Sequence, residues 1–238
     1  WFPMSYSPKT GLVYAPAMEH PIVYADSKPF EIHPGRWNTA VTFQDPPPLP
    51  GLPDTVEGRR KALAAMIKGK LVAYDPVTQK PKWEIKRDWP WNGGTLATAG
   101  NLVFEGTAHG DFEAYSADNG KKLWSFQSHR GIMAGPISYR INGEQYIAVM
   151  AGYGGSMGMA TETPFENRKM PYGMILAFKM NGTAKLPDYT PVPLDTPTPS
   201  DEKFTPEQIA TGNKYFYTYC SICHKGPVNP NLFRSAVI

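Results

Sequence analysis

The chain has 238 residues, a formal net charge of +3 at pH 7, 41% hydrophobic residues and a mean hydropathy of −0.39. This length suits one large domain or two small ones. The mild charge and the lack of a basic tract argue against nucleic-acid binding, and no run approaches the ~18 apolar residues of a membrane-spanning helix. The 22 glycines, 25 prolines and 13% aromatic residues favour many short strands joined by turns.

The first part of the chain predicts strands, a turn and a long irregular excursion. Residues 4–7 and 12–15 are apolar and flank a proline- and glycine-containing turn at residues 8–11. Residues 27–58 are rich in proline and predict an irregular segment on the surface. Residues 57–68 have apolar spacing that predicts a short helical turn.

Two segments that lie 41 residues apart carry the same pattern. Ala73 and Trp83 in the first correspond to Ala114 and Trp124 in the second, and a turn precedes each tryptophan. A period near ~40 residues, built from short strands, is typical of propeller blades, which pack face to face around an axis. We therefore expect Trp83 and Trp124 to be buried between neighbouring blades. Two unrelated hairpins would not be expected to match at all of these positions.

Further strands are predicted on both sides of the second repeat. A strong two-residue hairpin turn, Asn142-Gly143, joins two of them. These strands comprise residues 95–98, 102–105, 135–139, 145–150 and 174–178. The fold class expected for residues 1–184 is therefore mainly β, as part of a β-propeller with tryptophan-docking motifs.

The composition changes after residue 184. Residues 185–203 are rich in proline, threonine and aspartate and predict an extended linker. Thr205-Pro206-Glu207 then supplies an N-cap, a first-turn proline and an acidic first-turn residue, which predicts a helix that runs to Cys220. Residues 204–238 are expected to be the first part of a second, α-helical domain.

The two cysteines of the chain, Cys220 and Cys223, form the motif C-x-x-C-H with His224. This spacing is the attachment signature of c-type haem, in which two thiols bind the porphyrin and the imidazole binds the iron. A thioredoxin-like dithiol would not need His224. A zinc site needs about four ligands, and no second Cys/His pair lies nearby. Two structural thiols are the remaining alternative.

Attachment of haem c implies export, so we expect a periplasmic location. The chain contains no signal peptide, and we interpret it as a fragment of a longer polypeptide. Only 14 residues follow His224, which is too few to complete a cytochrome domain.

A propeller with docked tryptophans, followed by a linker and C-x-x-C-H, resembles the quinohaemoprotein alcohol dehydrogenases, which belong to the pyrroloquinoline quinone (PQQ) dehydrogenases. The most specific matches are the two docking motifs, residues 91–104, residues 146–155 and the haem motif. The first docking motif departs from the pattern, since Gln79 and Pro81 replace the glycine and lysine of the second. This departure is expected to weaken the turn.

The resemblance implies an eight-bladed β-propeller with PQQ on its axis and a calcium ion beside it, followed by a cytochrome c domain that is truncated here. It implies oxidation of a small alcohol and transfer of electrons to haem c and then to a quinone or a cytochrome. A membrane association through a partner subunit also fits. The catalytic aspartate and the calcium ligands would lie in earlier blades, so no catalytic residue is assigned and the fragment alone should be inactive. The alternatives are a PQQ enzyme for sugars or aldehydes and a non-catalytic propeller scaffold with an electron-transfer domain.

Within this chain the resemblance assigns Trp91 and Asn92 to the PQQ site. An indole can cover a flat quinone, and an amide can hydrogen-bond its carbonyl oxygens. Gly154 and Gly155 match glycines that lie near the cofactor carboxylates in the family, where backbone N–H groups can bind an anion. Without the resemblance, Trp91 would be read as a core tryptophan and the two glycines as an ordinary loop. The glycines at 93 and 94 would allow a close approach of the backbone.

Overall fold

The computed structural model describes most of the chain. The described residues are 2–20, 25–26, 30–32, 38, 41–42, 48, 50–152, 173–187 and 201–220. They form mainly antiparallel strands, together with two α-helices and one π-helical turn. Neither helix in this part of the chain is long and apolar enough to cross a membrane.

The described part of the chain contains thirteen short strands. They are β1 (Ser5–Ser7), β2 (Leu12–Glu19), β3 (Ala25–Asp26), β4 (Val41–Thr42), β5 (Lys68–Asp75), β6 (Lys80–Arg87), β7 (Thr95–Ala97), β8 (Leu102–Gly106), β9 (Asp111–Ser116), β10 (Lys122–Gln127), β11 (Ile137–Ile141), β12 (Glu144–Ala151) and β13 (Met174–Lys179). The helices are α1 (Val56–Met66) and α2 (Pro206–Tyr215), and the π-helical turn is Phe216–Cys220.

The strands form three main sheets in chain order. The first sheet has the order β1-β2-β5-β6, the second β7-β8-β9-β10 and the third β11-β12-β13, while β3 and β4 pair separately. All pairs within these sheets are antiparallel. The predicted strands and turns are therefore confirmed, and the helix predicted at 57–68 is α1. Half of the predicted proline-rich excursion at 27–58 and most of the predicted linker at 185–203 lie outside the described residues.

The repeat of 41 residues is visible in the hydrogen-bonding register. Ala73 pairs with Trp83 and Ala114 pairs with Trp124, and a register shift interrupts each strand pair next to the tryptophan. Gln79 has a φ of 56°, close to the 70° of its counterpart Gly120, so both turns use left-handed backbone. Proline at position 81 is accommodated because β6 is an edge strand and the proline lies at the irregularity.

The hydrophobic core lies between the sheets. Between the first and second sheets it is formed by Leu12, Tyr14, Ala73, Val103 and Ala117. Between the second and third sheets it is formed by Phe112, Ile132, Ile147, Val149, Ala151 and Leu176. Each sheet thus buries a face against its neighbour in chain order, which is the packing expected of consecutive propeller blades.

The two tryptophans of the repeat differ in burial. Trp83 is half-buried, and its Nε1–H donates to the carbonyl oxygen of Ala117 in the second sheet over 3.1 Å. Trp124 is 39% exposed, so the prediction that it is buried is wrong. The turn of the next sheet covers Trp83, whereas Trp124 contacts Phe112 and Phe178 edge-on and keeps part of its ring in solvent.

Helix α2 begins as the sequence predicts. The Thr205 hydroxyl accepts from Gln208 N (3.2 Å), and the Gln208 side chain accepts from Thr205 N (2.8 Å), which completes a capping box. Pro206 occupies the first turn. No residue of α2 is buried among the described residues.

Candidate functional site

The segments that lead into the first strand of each sheet converge at one end of the sheets. Thr95 N donates to Pro3 O over 2.9 Å, and the Ser5 and Thr95 hydroxyls lie 2.9 Å apart. A Cβ atom added to Gly135, just before β11, would stand 3.2 Å from Pro3. This converging end therefore contains residues from all three sheets, and Trp91 and Asn92 enter it immediately before β7.

Trp91 is a half-buried residue at this end. Its indole meets the ring of Phe2 edge-on, with 5.9 Å between the ring centroids and an interplanar angle of 88°. The contact joins the segments that precede β1 and β7. Sequence reasoning selected Trp91 but not Phe2, which carries no motif of its own.

Asn92 is buried, with 3% of its surface exposed. Its Nδ2 donates to the carbonyl oxygen of Trp89 over 2.9 Å, and its Oδ1 accepts from Ala108 N over 3.2 Å. The amide thus fastens the segment before β7 to the connection between β8 and β9. One amide hydrogen and one lone pair are left over, and the assignment of Asn92 to PQQ stays a prediction.

Gly93 and Gly94 lie at close approaches within the converging end. Gly93 N donates to Gly106 O over 2.8 Å, and an added Cβ would stand 2.8 Å from the carbonyl oxygen of Ala134. An added Cβ at Gly94 would stand 2.7 Å from Pro3. The predicted close approach is therefore present, and the groups approached are neighbouring backbone and Pro3.

Gly154 and Gly155 lie outside the described residues. The chain enters that segment at Gly152, whose N–H donates to Gly131 O over 2.7 Å and which forms a parallel bridge with Ile132. The carbonyl oxygen of Ile132 is in turn 2.9 Å from the position of an added Cβ at Gly93. The segment with the two glycines thus starts next to the converging end.

A buried ionic cluster, which sequence reasoning missed, lies at the end of β6. Arg87 donates through Nη2 to Glu105, through Nη1 to Glu113 (2.9 Å) and through Nη2 to the Tyr115 hydroxyl (2.8 Å). The Tyr115 hydroxyl donates to Glu113, and Lys122 Nζ donates to the same carboxylate over 2.6 Å. We call these five residues the Arg87 cluster.

The position of the two carboxylates explains the place of the arginine. Glu105 and Glu113 are direct cross-strand partners in β8 and β9, where like charges repel. Their side chains are 0% and 4% exposed, and that of Arg87 is 12% exposed. Arg87 comes from the first sheet, so its guanidinium pairs with both carboxylates of the second sheet and joins the two sheets.

The titration of the cluster follows from burial and charge. Burial raises the pKa of Glu105 to about 7, although Arg87 acts against this. Burial also acts to raise the pKa of Glu113, but Lys122, Tyr115 and Arg87 together lower it. Burial disfavours the charge of Arg87, yet Glu105, Tyr115 and Glu113 outweigh it and raise the pKa of the guanidinium. Burial, opposed by Arg87, raises the pKa of the Tyr115 phenol.

A cavity of about 310 Å³ opens between the end of β6 and the connection from β8 to β9. Its wall includes Arg87, Trp89, Asn92, Thr107 and Glu113. The Nε atom of Arg87 and the Nε1 atom of Trp89 are buried and have no hydrogen-bond partner among the described residues. Trp91 does not line this cavity, so it is distinct from the Trp91–Phe2 contact.

The haem motif is described only at its first residue. Cys220 ends the π-helical turn as a half-buried free thiol, while Cys223 and His224 lie outside the described residues. Among the residues that the structure describes, no group of three His, Cys, Asp or Glu side chains could hold a metal ion. The predicted haem ligands therefore stay predictions.

Comparison with known proteins identifies the relatives. Residues 58–147 match the PQQ family, which is described as the β-propeller domain of glucose/ethanol/alcohol dehydrogenase. The chain is 40% identical to the quinohaemoprotein alcohol dehydrogenase ADH IIB of Pseudomonas putida, over 99% of this chain and 33% of that protein. The chain is a relative of the quinohaemoprotein alcohol dehydrogenases.

Two further comparisons agree with this relationship. The quinohaemoprotein alcohol dehydrogenase of Comamonas testosteroni is 36% identical, over 95% of this chain and 31% of that protein. The solved structure of quinohaemoprotein alcohol dehydrogenase ADHIIG from Pseudomonas putida superposes with a TM-score of 0.78 at 37% identity, over 100% of this chain and 35% of that one. The three sheets thus have a propeller-type fold, and the chain spans about a third of the length of these quinohaemoprotein relatives.

Proposed function

We propose that this chain is part of a PQQ-dependent alcohol dehydrogenase that also carries haem c. The observation that carries the proposal is the 36–41% identity to quinohaemoprotein alcohol dehydrogenases across nearly the whole chain. The segment with Trp91, at the end where all three sheets converge, supplies the candidate cofactor contact. The complete protein would oxidise a small alcohol and transfer the electrons to a quinone or a cytochrome.

One residue of the converging end, Trp91, fits the role of covering a flat cofactor. Trp91 is half-buried and ordered against Phe2, as a ring that covers a planar ligand requires. PQQ would supply the electron-accepting chemistry at this end. The role of the chain's own residues is binding and orientation: Trp91 would cover the ring system, and the remaining amide N–H of Asn92 would donate to a carbonyl oxygen of the quinone. The bonds of Asn92 to Trp89 and Ala108 fix its side chain. Gly154 and Gly155 would bind the carboxylates of the cofactor through backbone N–H groups.

The second part of the proposal concerns haem c. Cys220 and Cys223 would attach the porphyrin and His224 would bind its iron, within a cytochrome c domain that starts at α2. Ile209 and Tyr215 of α2 are exposed, although apolar side chains of a helix normally pack against a neighbouring element. This exposure supports a domain in which further residues would pack against α2.

The remaining features are proposed from the same relationship. The propeller would have eight blades, with calcium and a catalytic aspartate held by blades outside this chain, so that this chain alone would be inactive. A periplasmic location follows from haem c attachment, and a partner subunit would associate the enzyme with the membrane.

The test uses the complete protein that contains this chain, exported in a host that attaches haem c and then supplied with PQQ and Ca²⁺. We expect PQQ-dependent reduction of an artificial electron acceptor with ethanol, and much less with glucose. Preference for glucose or an aldehyde would favour a related PQQ enzyme instead. Failure to bind PQQ would favour a non-catalytic scaffold and overturn the proposal.

A further inference from the structure

The segment that carries Trp91 is held at both ends by the second sheet. It leaves the first sheet at Arg87, four residues before Trp91, and enters the second sheet at β7. At the start, Arg87 binds Glu105 and Glu113. At the end, Asn92 binds Ala108 in the connection that joins β8 to β9, and Gly93 binds Gly106 at the end of β8. All of these contacts are made by β8, β9 and the residues between them.

The Arg87 cluster joins two sheets through buried charges, which carry a desolvation cost. Removing charges from water costs free energy that a buried ion pair seldom recovers, and an apolar pair of similar volume is often as stable. In some proteins buried ionic groups specify a single geometry, because each charge tolerates only a partner at the correct distance and angle. The planar guanidinium here meets two carboxylates and a phenol at once, which fixes the position of the segment that follows.

We propose that Arg87 is a positioning residue for Trp91, which it holds in register with the second sheet through Glu105, Glu113 and Tyr115. The consequence for catalysis rests on the proposed function, whereas the positioning itself does not. Arg87 and Glu113 line the same cavity as Asn92. Loss of the Arg87 cluster would free the segment 88–92 at one of its two anchors.

The experiment separates positioning from stability with two variants of the complete protein. Arg87→Met leaves Glu105 buried without its partner and should lower the melting temperature. Arg87→Met combined with Glu105→Leu removes two of the three buried charged groups, and the third, Glu113, still pairs with Lys122. The melting temperature should therefore return to nearly that of the wild type. The control is Lys179→Met, which breaks the exposed pair with Glu144.

Two readouts are measured on each variant. Amide hydrogen exchange in residues 88–95 should be faster by on the order of tenfold in both Arg87 variants, including the double variant with restored stability. With ethanol, kcat should fall roughly tenfold, since small displacements of groups that position reactants have effects of this size or larger. The control should change neither quantity.

The outcomes are distinct. Wild-type exchange in residues 88–95 of the double variant would overturn the positioning role. Faster exchange with an unchanged kcat would also overturn it for catalysis, provided that the wild type is active. If the wild type neither binds PQQ nor oxidises alcohols, the proposed function fails, while the exchange data still decide whether Arg87 positions this segment.

Discussion

The indole of Trp83 lies directly on Gly120 of the neighbouring sheet, so that a Cβ atom added to Gly120 would stand 2.8 Å from the ring. The same indole donates to the carbonyl oxygen of Ala117, three residues earlier in the same turn. The tryptophan of one repeat thus docks on the turn of the next repeat. Glycine suits this position because it has no Cβ to meet the ring and because it adopts a φ of 70° without strain.

Gly120→Ala should destabilise the fold by about 2–4 kcal/mol, since left-handed backbone and overpacking each contribute. The measurement is the midpoint of urea unfolding, followed by circular dichroism. Gly143→Ala is the matched control: its φ is 80°, but nothing lies within 4 Å of the added Cβ. The control should cost only about 1 kcal/mol. Equal effects of the two substitutions would mean that the contact with Trp83 contributes nothing.

Tyr14 and Trp83 should be energetically coupled through the carbonyl oxygen of Ala117. Tyr14 donates to it over 2.9 Å and Trp83 over 3.1 Å, and Ala117 is 1% exposed. Tyr14→Phe or Trp83→Phe alone leaves one donor, whereas the double variant leaves a buried acceptor without either. The double variant should therefore lose about 1 kcal/mol more than the sum of the singles. Tyr14→Phe with Trp124→Phe should be additive, and additivity in the first pair would refute the coupling.

The regular part of the fold could be predicted because its signals are local. The matched positions of Trp83 and Trp124, together with the turn Asn142-Gly143, are short-range patterns that fix strands and hairpins. The partial exposure of Trp124 could not be predicted in this way, since it depends on how the third sheet packs against the second. The turn before each tryptophan also tolerates a residue other than glycine, since Gln79 adopts the same left-handed backbone as its counterpart Gly120.

The Arg87 cluster was missed because its members are far apart in sequence, yet one signal was available. Once β8 and β9 are aligned, Glu105 faces Glu113, and each follows a phenylalanine, Phe104 or Phe112. A buried pair of like charges requires a cation. That requirement could have led to the arginine at the end of β6. The contacts of Asn92, by contrast, depend on the path of the backbone and have no counterpart in the sequence pattern.

Stability should depend on pH through Glu105. Its pKa is raised from 4.5 to about 7 in the folded state, chiefly by burial. Folding therefore favours the protonated carboxyl group, so its stabilising contribution is fully present below pH 4.5 and is lost as the pH rises through 7. This contribution of Glu105 to the free energy of unfolding is about 3 kcal/mol. The charged groups that face Glu105 are Arg87 and Glu113, and Tyr115 and Lys122 contact these two in turn. The pKa of Glu113 is lowered, so titration of Glu113 affects stability only below the pH range from 4.5 to 7.

The measurement for this prediction is the free energy of unfolding of Glu105→Gln relative to the wild type between pH 4.5 and pH 8. Glutamine stays neutral, so the variant should gain about 3 kcal/mol relative to the wild type across this range. Glu144→Gln is the control, because Glu144 pairs with Lys179 at the surface and has a lowered pKa. Parallel curves for Glu105→Gln and the wild type would contradict a raised pKa.

Cys220 and Cys223 should be required for covalent haem. Thioether bonds to the porphyrin keep haem on the protein during acid-acetone extraction, whereas axial ligation by His224 alone does not. In the complete protein, exported in a host that attaches haem c, Cys220→Ala with Cys223→Ala should therefore abolish the haem that resists extraction. Ser221→Ala, between the two cysteines, is the control and should keep it. Covalent haem in the double variant would refute the attachment site and, with it, electron transfer through haem c at this motif.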